Sequence, residues 1–560
     1  MSWHFADIAD YSTRPYGGDA GAMDPEQPYA HPSAPPPPEP PRARPRRPPA
    51  PRAPGRVWAV ACVLGAVAAV AAYLVMPGKP PASGGPELKG DPALADSVAA
   101  TIEGREDRVQ SLVVLEVDGG RTRTLMGGTT ASGESVTAQT PFETGSVYKV
   151  ATAMTLADLA ADGETSLDRT LGDVFPDLGF TSDATADITL EELATHRSGL
   201  PRIPAETMVA GAATPFTLTD PYRSMPPVLE SLAAAAPVQG GPEWSYSNFG
   251  YAVLGAALAE EAGTPYPRLV RERVLDPLGM DDTVMRGADL EGLPEDAALP
   301  HAMPGKRAEP WKAPDYLPVG IGTWTTAADM EKLLRAVMDG TAPGAAATEP
   351  THDGPSDETR IGLAWLTTDV GDGVDLVQHS GATYGSTAFI GFRGDRGAVV
   401  LSDSFTADAA VIGPRVLDTP DVAPLSESPR VGSTALGLAA TLPLVLLPAL
   451  LPVALMLRRR TLVGQRPLDR LRVVSMTAGA SASLLAALVL GDWVSTPPAM
   501  WAASAGAVVA AGAVGVWHWP RLATEGGRWR WLHTAFFCLS VLVSAAVVLA
   551  AADALLAAYG

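Results

Sequence analysis

Five long apolar runs limit what this chain of 560 residues can fold into more than any other feature of its sequence. The first run covers residues 57–76 and carries no charge. The other four lie close together, at about 434–457, 473–490, 499–519 and 532–552. About 20 consecutive apolar residues suffice for a helix that crosses the hydrocarbon core of a bilayer. We therefore predict five transmembrane helices, with one long polar segment between the first and the second.

The arginines between these runs predict which side of the membrane each loop occupies. They crowd the loops 458–472 and 520–530, whereas the loop 491–498 contains Asp492 and no lysine or arginine. Short loops rich in arginine remain in the cytoplasm. Both Arg-rich loops and the arginine-bearing N-terminal tail would then be cytoplasmic, which places the polar segment outside. We expect a multi-pass protein of the cell membrane, of bacterial type, with an extracytoplasmic domain.

Proline-rich segments separate the apolar runs from the rest. The first 56 residues cannot bury a core and should be disordered, although they could also serve as a ligand for a proline-binding module. This tail is too long for the charged region of a cleaved signal peptide, so we interpret the first run as an uncleaved signal anchor. The predicted divisions are a cytoplasmic tail at 1–56, the anchor at 57–76, a linker at 77–92, a soluble domain at 93–422, a linker at 423–433 and four transmembrane helices in 434–560.

The acidic composition argues against nucleic-acid binding. The formal net charge is −21, and contacts with phosphates need clustered lysine and arginine. The two cysteines, Cys62 and Cys538, lie inside apolar runs, and the eight histidines form no HExxH motif. We therefore expect no cofactor and no metal site. The expected partners are the membrane and a small-molecule or peptide substrate, and the sequence leaves the oligomeric state open.

The soluble segment has strand patterns at both ends and helical patterns between them. Strands are predicted at 111–117, 121–127, 374–379, 386–393 and 397–403, and a helix is predicted at 147–162. In that helix Val150, Met154 and Ala157 recur at helical spacing, and most of 150–340 is helical with interrupting loops. This order suggests one sheet assembled from both ends of the domain, beside a helical lobe.

The tetrad Ser146-Val147-Tyr148-Lys149 places a serine three residues before a lysine at the start of the predicted helix. Residues at this spacing share a helix face, so the Lys149 amine can reach the Ser146 hydroxyl. Serine is a weak nucleophile and needs a base, and lysine can act as one when burial or a nearby cation lowers its pKa. By itself the tetrad is also compatible with an ordinary surface pair.

Two further short motifs offer groups for catalysis. In Tyr246-Ser247-Asn248 the phenol could shuttle a proton, and the Asn248 amide could hold a substrate carbonyl and bond Lys149. In the segment from His379 to Ala382, at the end of a predicted strand, backbone amides could pair with substrate and complete an oxyanion hole. Either motif alone is equally compatible with a structural tyrosine or histidine.

The order SxxK, YxN and then HxG on a strand resembles the class C β-lactamase-related family of serine penicillin-recognising enzymes. Further segments similar to this family are 188–200, 246–251, 276–280 and 320–329, and the resemblance covers about 93–405. It implies an α/β (α+β) domain of the β-lactamase/transpeptidase type, with an antiparallel sheet flanked by helices and a helical lobe. His196 falls in one of these segments, and we interpret it as structural.

The resemblance also implies roles for single residues. Ser146 would be the acylated nucleophile, and Lys149 and Tyr246 would transfer its proton. Asn248 would position the substrate, and the strand residues His379, Ser380 and Gly381 would line the side of the site that holds the substrate carboxylate. The amides of Ser146 and Ala382 would form the oxyanion hole. Where β-lactamases have a lysine, this chain has His379. An unperturbed histidine has a pKa of about 6.5, so we expect carboxylate recognition to be weaker than with lysine, or pH-dependent.

These features predict a membrane-anchored, exocytoplasmic serine hydrolase that forms an acyl-enzyme. The expected substrates are D-amino-acid peptides, cell-wall fragments or small esters, because the histidine version resembles DD-carboxypeptidases and esterases. The alternatives are a β-lactamase and a non-hydrolytic penicillin-recognising sensor that signals through the membrane helices. A sensor would need a cytoplasmic output, and only the N-terminal tail is long enough to carry one.

Overall fold

The computed structural model describes residues 54–78, 85–130, 132–207, 214–238, 240–241, 243–286, 293, 295–371, 373–404, 406–422, 434–458, 469–522 and 530–559. The predicted linker at 423–433 lies outside these residues, as do the predicted tail up to residue 53, part of the first linker and most of both Arg-rich loops. The domain divisions drawn from the sequence therefore remain predictions.

A nine-stranded antiparallel sheet forms the centre of the soluble domain in the described part of the chain. The strands of the described residues are β1 Lys89–Gly90, β2 Ser111–Asp118, β3 Arg121–Gly128, β4 Phe142–Glu143, β5 Val284–Met285, β6 His301–Met303, β7 Lys306–Arg307, β8 Thr323–Thr325, β9 His352–Asp353, β10 Thr359–Ile361, β11 Leu366–Thr368, β12 Leu376–Ala382, β13 Thr387–Arg393 and β14 Arg396–Ser402. The large sheet has the order β1-β3-β2-β14-β13-β12-β11-β10-β9. Because β2 pairs with β14, the prediction of one sheet assembled from both ends of the domain is confirmed.

The sheet is buried on both faces, which explains the unbroken apolar character of β2. Val113 and Leu115 face the larger core, which includes the helix Lys149–Ala161. Leu112 and Val114 face a second core, formed with the helices at 92–102 and 409–416. A strand covered on both faces needs apolar residues at successive positions rather than at every second one.

Most helices of the domain lie between β4 and β5, and together with the others they cover the sheet. Within the described residues the helices of this domain are Pro92–Ile102, Lys149–Ala161, Leu171–Val174, Asp183–Ala186, Leu190–Ala194, Thr214–Thr217, Val228–Ala234, Asn248–Glu261, Tyr266–Val270, Ala327–Met338 and Ala409–Val416. Short 3₁₀ turns include Gly145–Tyr148 and Pro314–Val319. The helix predicted at 147–162 thus begins with a tight turn and continues as an α-helix from Lys149.

Five helices of the described residues are long and apolar enough to cross a membrane. They are Gly55–Val75, Thr434–Arg458, Arg470–Leu490, Pro498–His518 and Arg530–Tyr559. The first packs closely against the fourth, where a Cβ on Gly65 would lie 2.7 Å from the carbonyl oxygen of Gly506. Small residues at such a contact let helix backbones approach each other.

The soluble domain contacts these helices at the loop 491–497 and at the C-terminal end of the last helix. The contacts are Arg108 with Asp492 (2.7 Å), Lys306 Nζ with Gly491 O (3.1 Å), Arg223 with Asp553 (2.8 Å) and Tyr559 OH with Gly305 O (2.7 Å). The Arg108–Asp492 ion pair is buried, with side-chain exposures of 5% and 8%. The domain therefore rests on the helices through directional polar contacts.

Candidate active site

A tight turn between β4 and the helix Lys149–Ala161 presents Ser146. Gly145 has φ 50°, and a Cβ there would lie 2.8 Å from the backbone nitrogen of Ala382. A residue with a side chain would therefore be strained and would collide with β12. This glycine lets the turn carrying Ser146 pack backbone to backbone against β12.

Lys149 lies at the centre of a buried polar cluster, and its side chain is 0% exposed. Its Nζ is 3.0 Å from Ser146 Oγ, 2.9 Å from Tyr246 OH and 2.9 Å from Asn248 Oδ1. It also donates to the carbonyl of Val319 at 3.3 Å. The structure thus brings the serine, lysine, tyrosine and asparagine singled out in the sequence to one point.

The charge state of Lys149 follows from this environment. Burial, and secondly the positive charge of Arg202, hold the pKa of Lys149 well below its usual range. A lowered pKa favours the neutral form of the amine, which has two hydrogens and one lone pair. In that form the carbonyl oxygens of Asn248 and Val319 can accept the hydrogens, and the lone pair can accept the proton of the Ser146 hydroxyl.

Tyr246 is the second residue that bonds the Ser146 hydroxyl. Its hydroxyl donates to Ser146 Oγ at 2.6 Å. Burial raises the pKa of Tyr246, more than its bond to Ser146 and the nearby Arg202 lower it. The side chain is therefore a phenol, a proton donor rather than a base.

His196 supports this tyrosine, in agreement with its interpretation as structural. Its ring lies 4.4 Å from the ring of Tyr246, and its Nδ1 accepts from the Ser247 amide at 3.1 Å. Ser247 caps the helix Asn248–Glu261 by accepting from Gly250. The YxN motif is therefore a helix start whose flanking residues are fixed by a buried histidine.

Asn248 is oriented by a residue that the sequence analysis missed. Its Nδ2 donates to Tyr222 OH at 2.7 Å, which turns Oδ1 toward Lys149. Tyr222 lies in a segment without a recognisable motif, 26 residues before Asn248. Only the composition around it, Asp-Pro-Tyr-Arg, signals a turn, so nothing local could have revealed its role.

β12 extends past the predicted strand end at 379 and runs through Ala382. A Cβ on Gly381 would lie 2.7 Å from the backbone nitrogen of Ser146. Ser380, the other residue of this stretch singled out in the sequence, pairs with Phe389 of β13. The amides of Ser146 and Ala382 therefore come close together at the contact between β12 and the turn Gly145–Tyr148. This placement suits an oxyanion hole.

His379 is buried, and this changes one expectation. Burial, together with the nearby Lys149, lowers the pKa of His379 to about 3, so the ring is neutral near pH 7. Its Nδ1 donates to the Ser380 carbonyl at 2.8 Å, which leaves Nε2 as an acceptor. The sequence analysis assumed an ordinary pKa of about 6.5. The imidazole cannot supply a positive charge for a substrate carboxylate near neutral pH.

Arg202 is a second residue that the motifs did not identify. Its guanidinium carbon lies 5.1 Å from the centroid of the Tyr246 ring, and the residue is exposed. Its backbone carbonyl accepts from the amides of Asn248 and Phe249.

No group of three or more metal-ligating side chains occurs among the residues that the structure describes.

Comparison with known proteins identifies the family of the chain. The model of the Beta-lactamase family matches residues 98–420. The chain belongs to this family. Its fold is the β-lactamase/transpeptidase fold, as the sequence analysis predicted.

Curated relatives of this Beta-lactamase family member include hydrolases and a penicillin-binding protein. Unguisins hydrolase ungD' of Aspergillus campestris is 28% identical over 57% of this chain and 63% of its own length. Penicillin-binding protein 4 of Amycolatopsis lactamdurans is 31% identical over 38% of this chain and 55% of its own length. D-alanyl-D-alanine-carboxypeptidase/endopeptidase AmpH of Escherichia coli is 41% identical over 17% of this chain and 24% of its own length. The chain thus covers less than two thirds of each of these relatives.

Solved structures of similar proteins include a class C beta lactamase from Rhodobacter sphaeroides. It is 22% identical, with a TM-score of 0.46, over 56% of this chain and 94% of its own chain. The octameric penicillin-binding protein homologue from Pyrococcus abyssi is 20% identical, with a TM-score of 0.49, over 60% of this chain and 79% of its own chain.

Proposed function

We propose that this protein is a serine hydrolase that is anchored in the membrane and cleaves D-amino-acid peptides, cell-wall fragments or small esters outside the cell through an acyl-enzyme on Ser146. The contact that carries the proposal is the pairing of Ser146 Oγ with Lys149 Nζ at 3.0 Å and with Tyr246 OH at 2.6 Å. A serine held between a buried neutral amine and a phenol has a proton acceptor and a proton donor within reach.

In the acylation step, Ser146 Oγ attacks the substrate carbonyl carbon while its proton passes to Lys149. The carbonyl oxygen becomes an oxyanion held by the amides of Ser146 and Ala382. When the bond to the leaving group breaks, Tyr246 gives its proton to the departing nitrogen or oxygen. Lys149, 2.9 Å from Tyr246 OH, then returns the proton to the phenol. A water molecule then attacks the carbonyl carbon of the acyl-enzyme, the bond to Ser146 Oγ breaks, and the proton transfers run in reverse, which releases the acyl group as a carboxylic acid.

The relatives favour peptide substrates with D-residues. Two of them bear names that refer to penicillin binding or to D-alanyl-D-alanine, and these give the proposed substrate class. A β-lactamase ranks second, because His379 is neutral where those enzymes have a permanent cation.

The membrane part of the proposal rests on five apolar helices and on where the domain contacts them. Every contact given above lies at the loop 491–497 or at the end of the last helix, which the arginine pattern assigns to the outer side. Alkaline phosphatase fusions after residues 50, 425, 465 and 495 test the orientation. Activity is expected at 425 and 495, and activity at 465 would contradict it.

The catalytic proposal is tested with Ser146→Ala. We expect the variant to lose labelling by a fluorophosphonate or a fluorescent penicillin, and hydrolysis to fall by about three to six orders of magnitude. Ser198→Ala, at another buried serine outside the cluster, is the matched control and should keep its labelling. Undiminished labelling of Ser146→Ala would show that another residue is the nucleophile.

A further inference from the structure

Arg202 stands at the rim of the catalytic cluster with its guanidinium uncommitted. Among the described residues it makes no ion pair and no side-chain hydrogen bond, and its one close partner is the ring of Tyr246 at 5.1 Å. Other arginines of the domain are held by carboxylates: Arg223, Arg273 and Arg396 each contact at least two. An exposed guanidinium with free donors is suited to binding a carboxylate through two parallel hydrogen bonds.

The position of Arg202 matches one particular part of a substrate. Tyr246 OH is 2.6 Å from Ser146 Oγ, so the atom it protonates belongs to the leaving group. In a departing C-terminal residue, the nitrogen and the carboxylate carbon are joined through one Cα and lie about 2.5 Å apart. A free carboxylate on the leaving group therefore lies near the Tyr246 hydroxyl, and Arg202 is the exposed cation beside that ring.

We propose that Arg202 binds the carboxylate of the leaving group, so that the site prefers substrates cleaved immediately before a free C-terminal amino or hydroxy acid. The inference rests on the acyl-enzyme function proposed above and narrows it to a carboxypeptidase type of specificity. It also replaces His379 as the partner of the substrate carboxylate, because that imidazole is buried and neutral whereas a guanidinium is always charged.

Binding at Arg202 would also act on the base. The ionisable groups around Lys149 are Arg202, His196, His379, Tyr246 and Tyr251, and of these Arg202 alone is a permanent cation. Its charge lowers the pKa of Lys149. A carboxylate that neutralises Arg202 would let the amine hold a proton more strongly. A substrate with the anion would thus bind more tightly and also meet a stronger base.

The test uses two esters that differ only in the leaving group. One is N-acetyl-D-alanyl-D-lactate, whose leaving group carries a carboxylate, and the other is the corresponding D-lactamide ester. In the full-length protein in detergent, kcat/KM for the acid should exceed that for the amide. Arg202→Gln should reduce this ratio by about tenfold, because one charge-assisted contact is lost. Arg202→Lys should keep most of the preference for the acid. The control is Arg121→Gln, at the exposed first residue of β3, and it should keep the whole preference.

A second measurement separates binding from structural damage. On the neutral amide ester, the acid limb of the pH profile should move to higher pH in Arg202→Gln, because Lys149 loses a like charge beside it. It should not move in Arg121→Gln. An unchanged ratio, or an equal loss on both esters, would overturn the role of Arg202. If neither ester shows turnover that depends on Ser146, the acyl-enzyme proposal itself fails and takes this one with it.

Discussion

Two neighbouring regions of the candidate active site are built in different ways. One is the polar cluster of Ser146, Lys149, Tyr246 and Asn248, whose members come from two short motifs at two helix starts. The other, joined to the cluster by the bond between Asn248 and Tyr222, is an aromatic wall of three rings: Tyr222 lies 5.4 Å from Trp311, which lies 5.0 Å from Tyr384. The wall comes from three distant segments, so its geometry depends on long-range contacts that no motif encodes.

Buried carboxylates hold this wall in place. Asp220 accepts from the amides of Tyr222 at 2.8 Å and Lys312 at 3.0 Å. Glu143 accepts from the Trp311 amide at 2.9 Å and from the Thr383 hydroxyl at 2.7 Å. Burial raises the pKa of each carboxyl to about 7. The cluster thus depends on side chains bonded directly to one another, whereas the wall depends on acids that hold backbone amides.

The largest expected effect is on the cluster. Tyr246→Phe removes the hydroxyl that donates to Ser146 at 2.6 Å and that would protonate the leaving group. Loss of general acid–base catalysis typically costs about 10²- to 10⁴-fold, so kcat/KM on a D-peptide should fall by that amount. Steady-state kinetics of the purified protein measure it.

The control is Tyr251→Phe. That tyrosine is also buried and beside His196, but its hydroxyl donates to the carbonyl of Ala194 at 2.6 Å. Its loss should lower stability and leave kcat within a few-fold of wild type. Equal losses of activity in both variants would mean that Tyr246 supports the site only by packing.

A smaller effect is expected where the wall meets the cluster. Tyr222→Phe removes the acceptor of Asn248 Nδ2 and so frees the amide that directs Oδ1 at Lys149. The unsatisfied buried donor should lower stability by about 1–3 kcal/mol. Because Oδ1 is then no longer held toward Lys149, kcat/KM should also fall, by about 10- to 100-fold. Tyr266→Phe loses a similar buried bond, to Thr152, away from the cluster, and should lose stability without this loss in activity. A comparable loss of kcat/KM in both variants would show that Tyr222 has no specific role in catalysis.

The same contrast explains how much the sequence could predict. SxxK and YxN place their residues by local helix geometry, so their convergence on Lys149 could be expected from the spacing and the family resemblance together. Five of the nine strands of the large sheet, β2, β3, β12, β13 and β14, were also predicted to within a few residues. The strands β1, β9, β10 and β11 were not predicted, because each has only two or three residues and so shows no pattern. Tyr222 and Arg202 escaped prediction because their roles arise from the tertiary path of their segments.

His379 escaped prediction for a different reason. The residue was identified correctly by position, but its chemistry depends on burial, which a motif does not reveal. A histidine that is 1% exposed and close to Lys149 has a much lower pKa than a free one. The sequence motif therefore predicted the position of His379 but not the charge of its imidazole.

A still smaller effect is expected where the wall is tied to the last apolar helix. Arg223 bonds the buried Glu309 at 2.7 Å and Asp553 of that helix at 2.8 Å, and Glu309 accepts from the Asp220 amide at 2.9 Å. Asp553→Asn removes one end of this connection. Because Asp553 is 63% exposed, the loss in kcat/KM should be at most about fivefold.

A close match to this arrangement lies far along the chain and provides the control. Arg396 bonds the buried Glu116 at 2.8 Å and the exposed Asp418 at 2.5 Å. Asp418→Asn removes the same kind of bond without touching the wall, and activity should be unchanged. If both variants behave alike, the last helix does not influence the wall through Asp553.

The smallest expected effect is an absence of pH dependence at His379. With a pKa lowered to about 3, the ring stays neutral from pH 5 to pH 8. The ratio of kcat/KM for a carboxylate-bearing D-peptide to that for a neutral ester should therefore show no step near pH 6.5, since Lys149 and Tyr246 titrate in both reactions and cancel. A rise in the ratio as pH falls through 6.5 would show that the imidazole is exposed to solvent in the working enzyme.

The same shift has a positive signature in stability. Between about pH 6.5 and pH 3 the unfolded chain binds a proton at His379 that the folded chain does not, so stability must fall as pH falls through this range. At pH 5 this amounts to about 2 kcal/mol. His379→Gln removes the titrating group, so its unfolding free energy should decline less than that of wild type between pH 7 and pH 5 in urea titrations. Parallel declines in the two proteins would mean that the ring is protonated in the folded state. A substrate carboxylate could then pair with either His379 or Arg202.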